Sequence, residues 1–343
     1  MPLLLTNQDV RRVLNMSDCL VALEVAYRDR ARGITVGGTS RVETVVPTAR
    51  PGVAYEFTSM EGAVPAIGVM ALRVNSNHLA HVAANGSERK VRLPDAPGGR
   101  HVGLILLFGL EELRLIAILQ DRFISLMRVG ATSALAARCL ARPEARIVGL
   151  LGTGEQARAQ LLGLAAVCVL DEVRVFSPTS ECRRIFAEEM SAQLGLPVRA
   201  VGEAREALRG ADIVAAATNS LRPVFDVDWL EAGQHLGAIQ SSEVPSAVYG
   251  RAEVVVVNAH AGYGRGAGGH YDASAEWERY PTLDQILVGQ APGRTEAGQV
   301  TFFMNAGVGF QFAAVGAKAL AGARRAGLGL ELPDDLFLQT WHT

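Results

Sequence analysis

Apolar and polar positions fall into two regimes along the chain. From Thr6 to Gly33, apolar residues recur at helical spacing: Val10, Val13 and Leu14, then Leu20, Val21, Leu23, Val25 and Ala26. The pattern predicts two helices, capped by Thr6 and Ser17 and ended by Gly33. Five β-rich segments follow: RVETVVPT, VAYEFTSM, AIGVMALRVNS, HVGLILLFGL and LRLIAILQ. The stretch ANGSERKVRLPDAPGGR, between the third and fourth, is polar and rich in Gly and Pro, and reads as a loop or insertion.

The second regime begins near Asp121. ISLMRVGATSALAARCLARP predicts a small-residue helix that stops at Pro143. The apolar runs RIVGLLG, EVRVFS, DIVAAAT, HLGAIQ and EVVVVN then predict strands, with helical stretches between the first three. Such alternation implies an α/β fold, a doubly wound parallel sheet with helices on both faces. A Gly-rich loop, AHAGYGRGAGGHYD, follows Asn258, and NAGVGFQFAAVGAKALAGARRAG reads as a final helix.

Composition narrows the setting. The 343 residues suffice for two domains, each with its own core. A net charge of -2, with basic residues scattered among acidic ones, argues against nucleic acid or an anionic membrane as partner. Cys19, Cys139, Cys168 and Cys182 are far apart and form no CxxC, which argues against a disulfide framework or a zinc site and for a cytoplasmic location. No run approaches the roughly 20 apolar residues that span a bilayer. The start, MPLLLTNQDVRRVL, lacks the basic leader and long apolar core of a signal peptide.

Gly152-Thr153-Gly154-Glu155-Gln156-Ala157 is a G-x-G-x-x-A run between a buried strand and a helix, with a further strand after it. That context points to a dinucleotide. Gly152 permits the tight turn, Gly154 lets a pyrophosphate approach the backbone, and Ala157 lets the helix sit on the sheet. The helix start favours the anion. The next strand ends in Phe176-Ser177-Pro178-Thr179-Ser180, followed by Arg183 and Arg184, with no carboxylate to accept from a ribose 2′-hydroxyl. Ser177, Thr179 and Arg183 therefore favour NADP, with NAD left open. Thr218 and Asn219 end another strand and are expected at the ribose or nicotinamide, with Asn305 approaching from the final helix.

LMRVGATSALAARCLARPEARIVGLLGTGEQARAQL resembles the ornithine cyclodeaminase/mu-crystallin family, whose members carry an R-T-x-A-x-S-x-x-A helix followed by G-x-G-x-Q-A. ADIVAAATNSLRPVFDVDWLEAGQHLGAIQ and GQAPGRTEAGQVTFFMNAGVG agree with two further family segments. The resemblance implies a Rossmann domain over residues 125–304, with Thr132 among its cofactor contacts. It also implies an α+β substrate and dimerisation domain built from residues 1–124 and 305–343, and a homodimer formed through it. Members reduce imino acids, dehydrogenate amino acids or cyclise ornithine. Arg41 and Arg128 match the family's carboxylate-binding arginines, and an arginine fork suits that task.

Two departures bear on the reaction. Arg73, or in another alignment Met70, stands where many members carry a lysine, and arginine is a poor proton donor. Ser242, with Glu243 beside it, stands where cyclodeaminases carry an amine-activating aspartate. Phe312 replaces a further aspartate in the final helix. Glu56 is a candidate to read an amine, with an exposed strand carboxylate as the alternative. His235 matches a frequent family histidine or caps a turn, and His260 and His270 fall in or beside the Gly-rich loop.

The expectation is an NAD(P)H-dependent imine reductase or amino-acid dehydrogenase for a small amino, imino or keto acid. Arg41, Arg73 and Arg128 would hold the carboxylate, and Glu243, His235 or a water would supply the proton. A cyclodeaminase with bound NAD and a non-catalytic nucleotide-binding protein remain the alternatives.

Overall fold

Strict alternation along two long strands builds the first layer. In the computed structural model, which describes residues 1–36, 42–84, 87–260 and 277–340, β3 (Val53–Val64) and β4 (Val69–Ala84) pair antiparallel from Val53↔Ala80 to Val64↔Val69. Even positions of β3 are buried and odd positions are half-buried or exposed over most of its length, the mark of a sheet with one covered face. The other strands of this sheet are β1 (Leu3–Leu5), β2 (Val42–Pro47), β5 (Ser87–Leu93), β6 (Val102–Gly109), β7 (Arg114–Gln120) and β15 (Leu330–Glu331). Their order is β15-β1-β7-β6-β4-β3-β2, with β5 added to β4.

The covered face carries α2 (Met16–Ala31) and the C-terminal α9 (Phe310–Ala326), which share one core with it. The opposite face leaves Leu72, Val74, Leu104, Leu106, Phe108, Ile116 and Ile118 half-buried. Thr6 caps α1 (Asn7–Val13) through a box with Asp9. Asn15, not Ser17, caps α2, because its side chain and that of Asp18 exchange bonds with each other's backbone N–H.

The segment expected to be a loop contains β5 instead. It pairs with β4 from His78↔Leu93 to Ala84↔Ser87. Both of its faces are largely polar, so it lacks the period-two apolar signal. Its partners are ionic, with Lys90 and Arg92 reaching Glu56 on β3. This hairpin also touches the second layer, where Leu221 N–H donates to Glu88 O at 3.0 Å and Arg89 bridges to Ser220.

The second layer is wholly parallel. It comprises β8 (Ile147–Leu151), β9 (Glu172–Phe176), β10 (Val198–Ala200), β11 (Ile213–Ala216), β12 (His235–Ala238), β13 (Val254–Val257) and β14 (Thr301–Met304). Their order is β10-β9-β8-β11-β12-β14-β13. The short β10 and β14 went unannounced by the apolar pattern, and β14 inserts between β12 and β13. The remaining helices are α3 (Arg122–Leu140), α4 (Glu155–Val167), α5 (Ser180–Leu194), α6 (Ala204–Leu208), α7 (Val248–Arg251) and α8 (Leu283–Leu287). Separate apolar clusters cover the two sheet faces. This is a Rossmann-type sheet, and its order reverses at β8, which opens a crevice beyond the C-terminal ends of β8 and β11.

The two layers meet along α3. This helix is long and apolar enough to cross a membrane, contrary to the expectation from the sequence, but 72% of its apolar window is buried inside the protein. Small residues bring it onto α4: a Cβ at Gly130 would stand 2.1 Å from Ala159 O, and one at Gly163 would stand 2.5 Å from Gly130 O.

Candidate active site

The turn from β8 to α4 shapes the floor of the crevice. Gly152 has φ +111°, a left-handed conformation, and a Cβ there would lie 2.3 Å from Ala217 O. Its N–H donates to Phe176 O at 2.8 Å, which ties β8 to the tip of β9. Gly154 is the N-cap of α4, in extended backbone and without a side-chain cap. A methyl on Gly154 would meet no atom within 4 Å. Open space thus stands over a helix start whose first N–H groups lack intrahelical partners, which fits a phosphate. Ala157 is fully buried against the sheet. Glu155 is engaged by Arg122 at the surface, and Gln156 buries an Oε1 that has no partner.

Thr153 Oγ1 lies 3.2 Å from Ser177 Oγ, which in turn bonds to Thr179 O at 3.3 Å. Thr179 is the N-cap residue of α5. Arg183 donates to Ser177 O at 2.8 Å and stacks over Phe176 at 5.6 Å, so its guanidinium sits at the tip of β9. Arg184 is paired with Glu181 and Glu188 on the exposed face of α5.

The tips of β11 and β12 are held together by Glu243. This fully buried carboxylate accepts from Thr218 N (2.7 Å), Thr218 Oγ1 (2.8 Å), Ile239 N (3.1 Å) and Gln240 N (3.0 Å). Burial pushes its carboxyl up to about 7, against four donors that favour the anion. Both oxygens accept hydrogen bonds, so Glu243 clamps the loops after β11 and β12. Ser242 donates to Ser220 O at 2.9 Å, and Asn219 is exposed at the crevice rim.

His235 and Asn305 also depart from expectation. His235 opens β12 and pairs with Ile213 and Thr301, at the N-terminal end of the sheet. That is about 10 Å of strand away from the crevice. Its Nδ1 lies 2.9 Å from Thr301 Oγ1, and burial, helped by the charge of Arg294, pushes it down to about 3. Asn305 follows β14 rather than lying in the final helix. It donates to Val129 O (3.0 Å) and Ser133 Oγ (2.9 Å) and accepts from Asn258 (3.0 Å), fastening β14 to α3 and β13.

The junction of the two layers holds two buried guanidinium groups. Arg128 projects from α3 and donates to Gln311 Oε1 at 2.5 Å. It passes Gly307, just beyond β14, where a Cβ would lie 2.3 Å from Nη1. Arg73, on the covered face of β4, donates through Nε to Asp121 Oδ2 at 2.9 Å and through Nη2 to Asn75. Phe312 lies beneath both, its ring centroid 4.5 Å from the Arg128 guanidinium carbon and 5.7 Å from that of Arg73. An aromatic face therefore supports two cations. Met70 lies on the opposite face of β4 and is half-buried.

Thr132 is fully buried. It donates to Arg128 O at 2.8 Å and accepts from Gln311 at 2.8 Å, so it braces the arginine. Glu56 is fully buried and ion-paired to Lys90 (2.8 Å) and Arg92 (3.5 Å), neither an exposed carboxylate nor one left to read an amine. His260 lies 2.7 Å from Tyr280 O. Arg41 and His270 fall outside the described residues. The bracing residues Asp121, Asn75, Tyr27 and Gln311 were missed. The readable signal was a glutamine inside the apolar run GFQFAA.

Residues 1–318 match the model of the ornithine cyclodeaminase/mu-crystallin family. A putative dehydrogenase of Rhizobium meliloti is 32% identical over 249 residues, 70% of this chain and 74% of that protein. A Delta(1)-pyrroline-2-carboxylate reductase of Bacillus cereus is 29% identical over 219 residues, 60% of this chain and 66% of the other. The structure of the Thermococcus litoralis Delta(1)-pyrroline-2-carboxylate reductase with NADH and L-proline superposes with TM-score 0.80 at 23% identity, over 96% of this chain and all of that one (100%).

Two outcomes follow from the site's geometry. Gly154→Ala should leave the melting temperature nearly unchanged and lower nucleotide affinity about tenfold or more by fluorescence titration, whereas Gly152→Ala should destabilise the fold itself. A Gly154→Ala protein with wild-type affinity would remove the anion from this turn. His235 is held neutral in the fold, while the unfolded chain binds its proton from about pH 6.5 downward. Stability should therefore fall as pH drops below about 6.5, and His235→Gln should flatten that slope in urea titrations without moving the pH profile of kcat. A shifted kcat profile would restore His235 to the chemistry.

Proposed function

Because the chain belongs to the ornithine cyclodeaminase/mu-crystallin family, we propose that it is an NAD(P)H-dependent oxidoreductase acting on the C–N bond of a small amino or imino acid. The observation that carries this reading is the convergence of Arg73 and Arg128 over Phe312, with Arg128 passing the turn beyond β14 at the C-terminal edge of the nucleotide sheet. Two forks at that edge hold a carboxylate and orient the adjacent carbon toward the crevice. The nicotinamide, when bound, supplies or accepts the hydride. Asp121 and Gln311 keep the forks in place.

Reduction suits this residue set better than cyclodeamination. A protonated imine brings its own proton to the nitrogen, so hydride addition needs no side-chain acid. Cyclodeamination needs a base for the attacking amine, and the carboxylates around the site are engaged: Asp121 by Arg73, Glu243 by the loop N–H groups and Glu56 by Lys90 and Arg92. Ser242 is tied to a carbonyl.

The tip of β9, with Ser177, Thr179 and Arg183 and no carboxylate between Phe176 and Ser180, favours the 2′-phosphate of NADPH. The half-buried apolar face of the first sheet is assigned to a second copy of the chain, which light scattering would register as a mass near twice 36.4 kDa; a monomer at micromolar concentration would refute it.

The test is a screen of cyclic and linear imino acids with NADPH and NADH. Arg128→Ala should lower kcat/KM about a hundredfold or more while NADPH affinity stays within about twofold. Arg183→Ala should raise the KM for NADPH about tenfold and leave that for NADH nearly unchanged. No nucleotide oxidation across the panel would sink the reductase, and a strong NADH preference would sink the 2′-phosphate assignment.

A further inference from the structure

The covered face of β3 and β4 continues beyond the arginine pair as a polar strip. Glu56 and Thr58 on β3 stand opposite Asn77 and Asn75 on β4. The side chains of Glu56, Thr58, Asn75 and Asn77 are all buried, at 0%, 0%, 5% and 7% exposure. Asn75 is committed: it accepts from Arg73 and donates to Asp121 Oδ2 at 2.9 Å and Val74 O at 3.0 Å. Thr58 Oγ1 and Asn77 Nδ2 are buried with no hydrogen-bond partner. Buried polar atoms in native proteins are almost always bonded, so two orphans at diagonal positions on one sheet face call for an external partner.

The chemistry of that partner follows from the surroundings. Asn77 Nδ2 is a donor, and the Thr58 hydroxyl also donates. Lys90 and Arg92 reach over from β5 to Glu56, whose charge they meet, and Lys90 also pairs with Glu43 at 3.2 Å. Among the described residues, Glu43 and Glu56 already have cationic partners. An acceptor oxygen finds two donors. Asn77 lies about 7 Å along β4 from Asn75, which itself touches the Arg73 guanidinium. A short carbon chain spans that interval.

We propose that Thr58 and Asn77 form a side-chain specificity site for a 2-imino or 2-oxo acid whose side chain ends in an acceptor oxygen, such as a second carboxylate. The inference rests on the reading of Arg73 and Arg128 as the binders of the first carboxylate. The substrate then lies along β4, its first carboxylate on the arginines and its far oxygen on Asn77 and Thr58.

Binding tests this without requiring turnover. Calorimetry on the full chain, with and without NADPH, compares 2-oxoglutarate with 2-oxohexanoate, a chain of similar length that lacks the terminal oxygens. The wild-type protein should prefer 2-oxoglutarate at least tenfold. The double variant T58V/N77L should bring the two within about twofold and leave 2-oxohexanoate binding unchanged. The single variant T58V, which removes a hydroxyl without a protein partner, should retain the wild-type melting temperature and lose part of the preference. Equal affinities in the wild type, no binding of either acid, or a preference that survives the substitutions would each overturn the proposal. A protein that selects 2-oxoglutarate but never oxidises NADPH with any imine would refute the oxidoreductase reading and leave this site standing. Imine turnover with no such selectivity would do the reverse.

Discussion

Holding two guanidinium groups out of water at the junction of two sheets is the constraint on which the rest of this structure depends. A buried ion costs several kcal/mol unless charge and hydrogen bonds replace its hydration. The fold meets that cost from several directions. Asp121, at the start of α3, takes Arg73 and Asn75 together. Gln311 accepts from Arg128 and from Val308 N–H, while its amide donates to Tyr27 and Thr132. Tyr27 in turn donates to Asn258, and Asn258 to Asn305. One hydrogen-bonded chain thus runs from α2 through α9 and α3 to the C-terminal ends of β13 and β14. The position of the arginines is thereby tied to the position of the nucleotide sheet.

Several candidate chemical residues are also supports. Thr132 and Asn305 sit within that chain, and Glu243 performs the same service for the loops after β11 and β12. Their polarity in an apolar context was visible in the sequence. Whether a buried polar group faces a ligand or a neighbouring backbone depends on tertiary placement, which one-dimensional spacing does not encode. His235 makes the same point: nothing in EAGQHLGAIQ says which end of the strand faces the crevice, until the strand is seen to begin at the histidine.

The elements themselves were more legible. Period-two runs and the strand–glycine–helix turn at Gly152 announce both layers, because alternation and a positive φ leave direct marks on residue choice. The failures have physical causes. β5 is held by ion pairs instead of an apolar face, so its residues look like a loop. β14 is only four residues long, and its place between β12 and β13 is set by long-range pairing. On α2, Asn15 outcompetes Ser17 because only Asn15 has an acid at the third helical position to return its bond.

The departures from the family's usual residues form a consistent set once the ring of Phe312 is considered. An aspartate at that position would add a negative charge beside Arg73 and Arg128 and compete for the forks that a substrate carboxylate needs. The aromatic face supports both cations without neutralising either. Arg73 has Asp121 as a counter-ion, and Arg128 donates to Gln311 and lies over the ring. Phe312 and Ser242, at positions where the resemblance implies aspartates, therefore point the same way. Two guanidinium groups on one ring favour an anion, and among the described residues Asp121, Glu243 and Glu56 are already engaged. That balance suits a reaction in which the electron pair arrives as hydride and the proton is already on the substrate nitrogen.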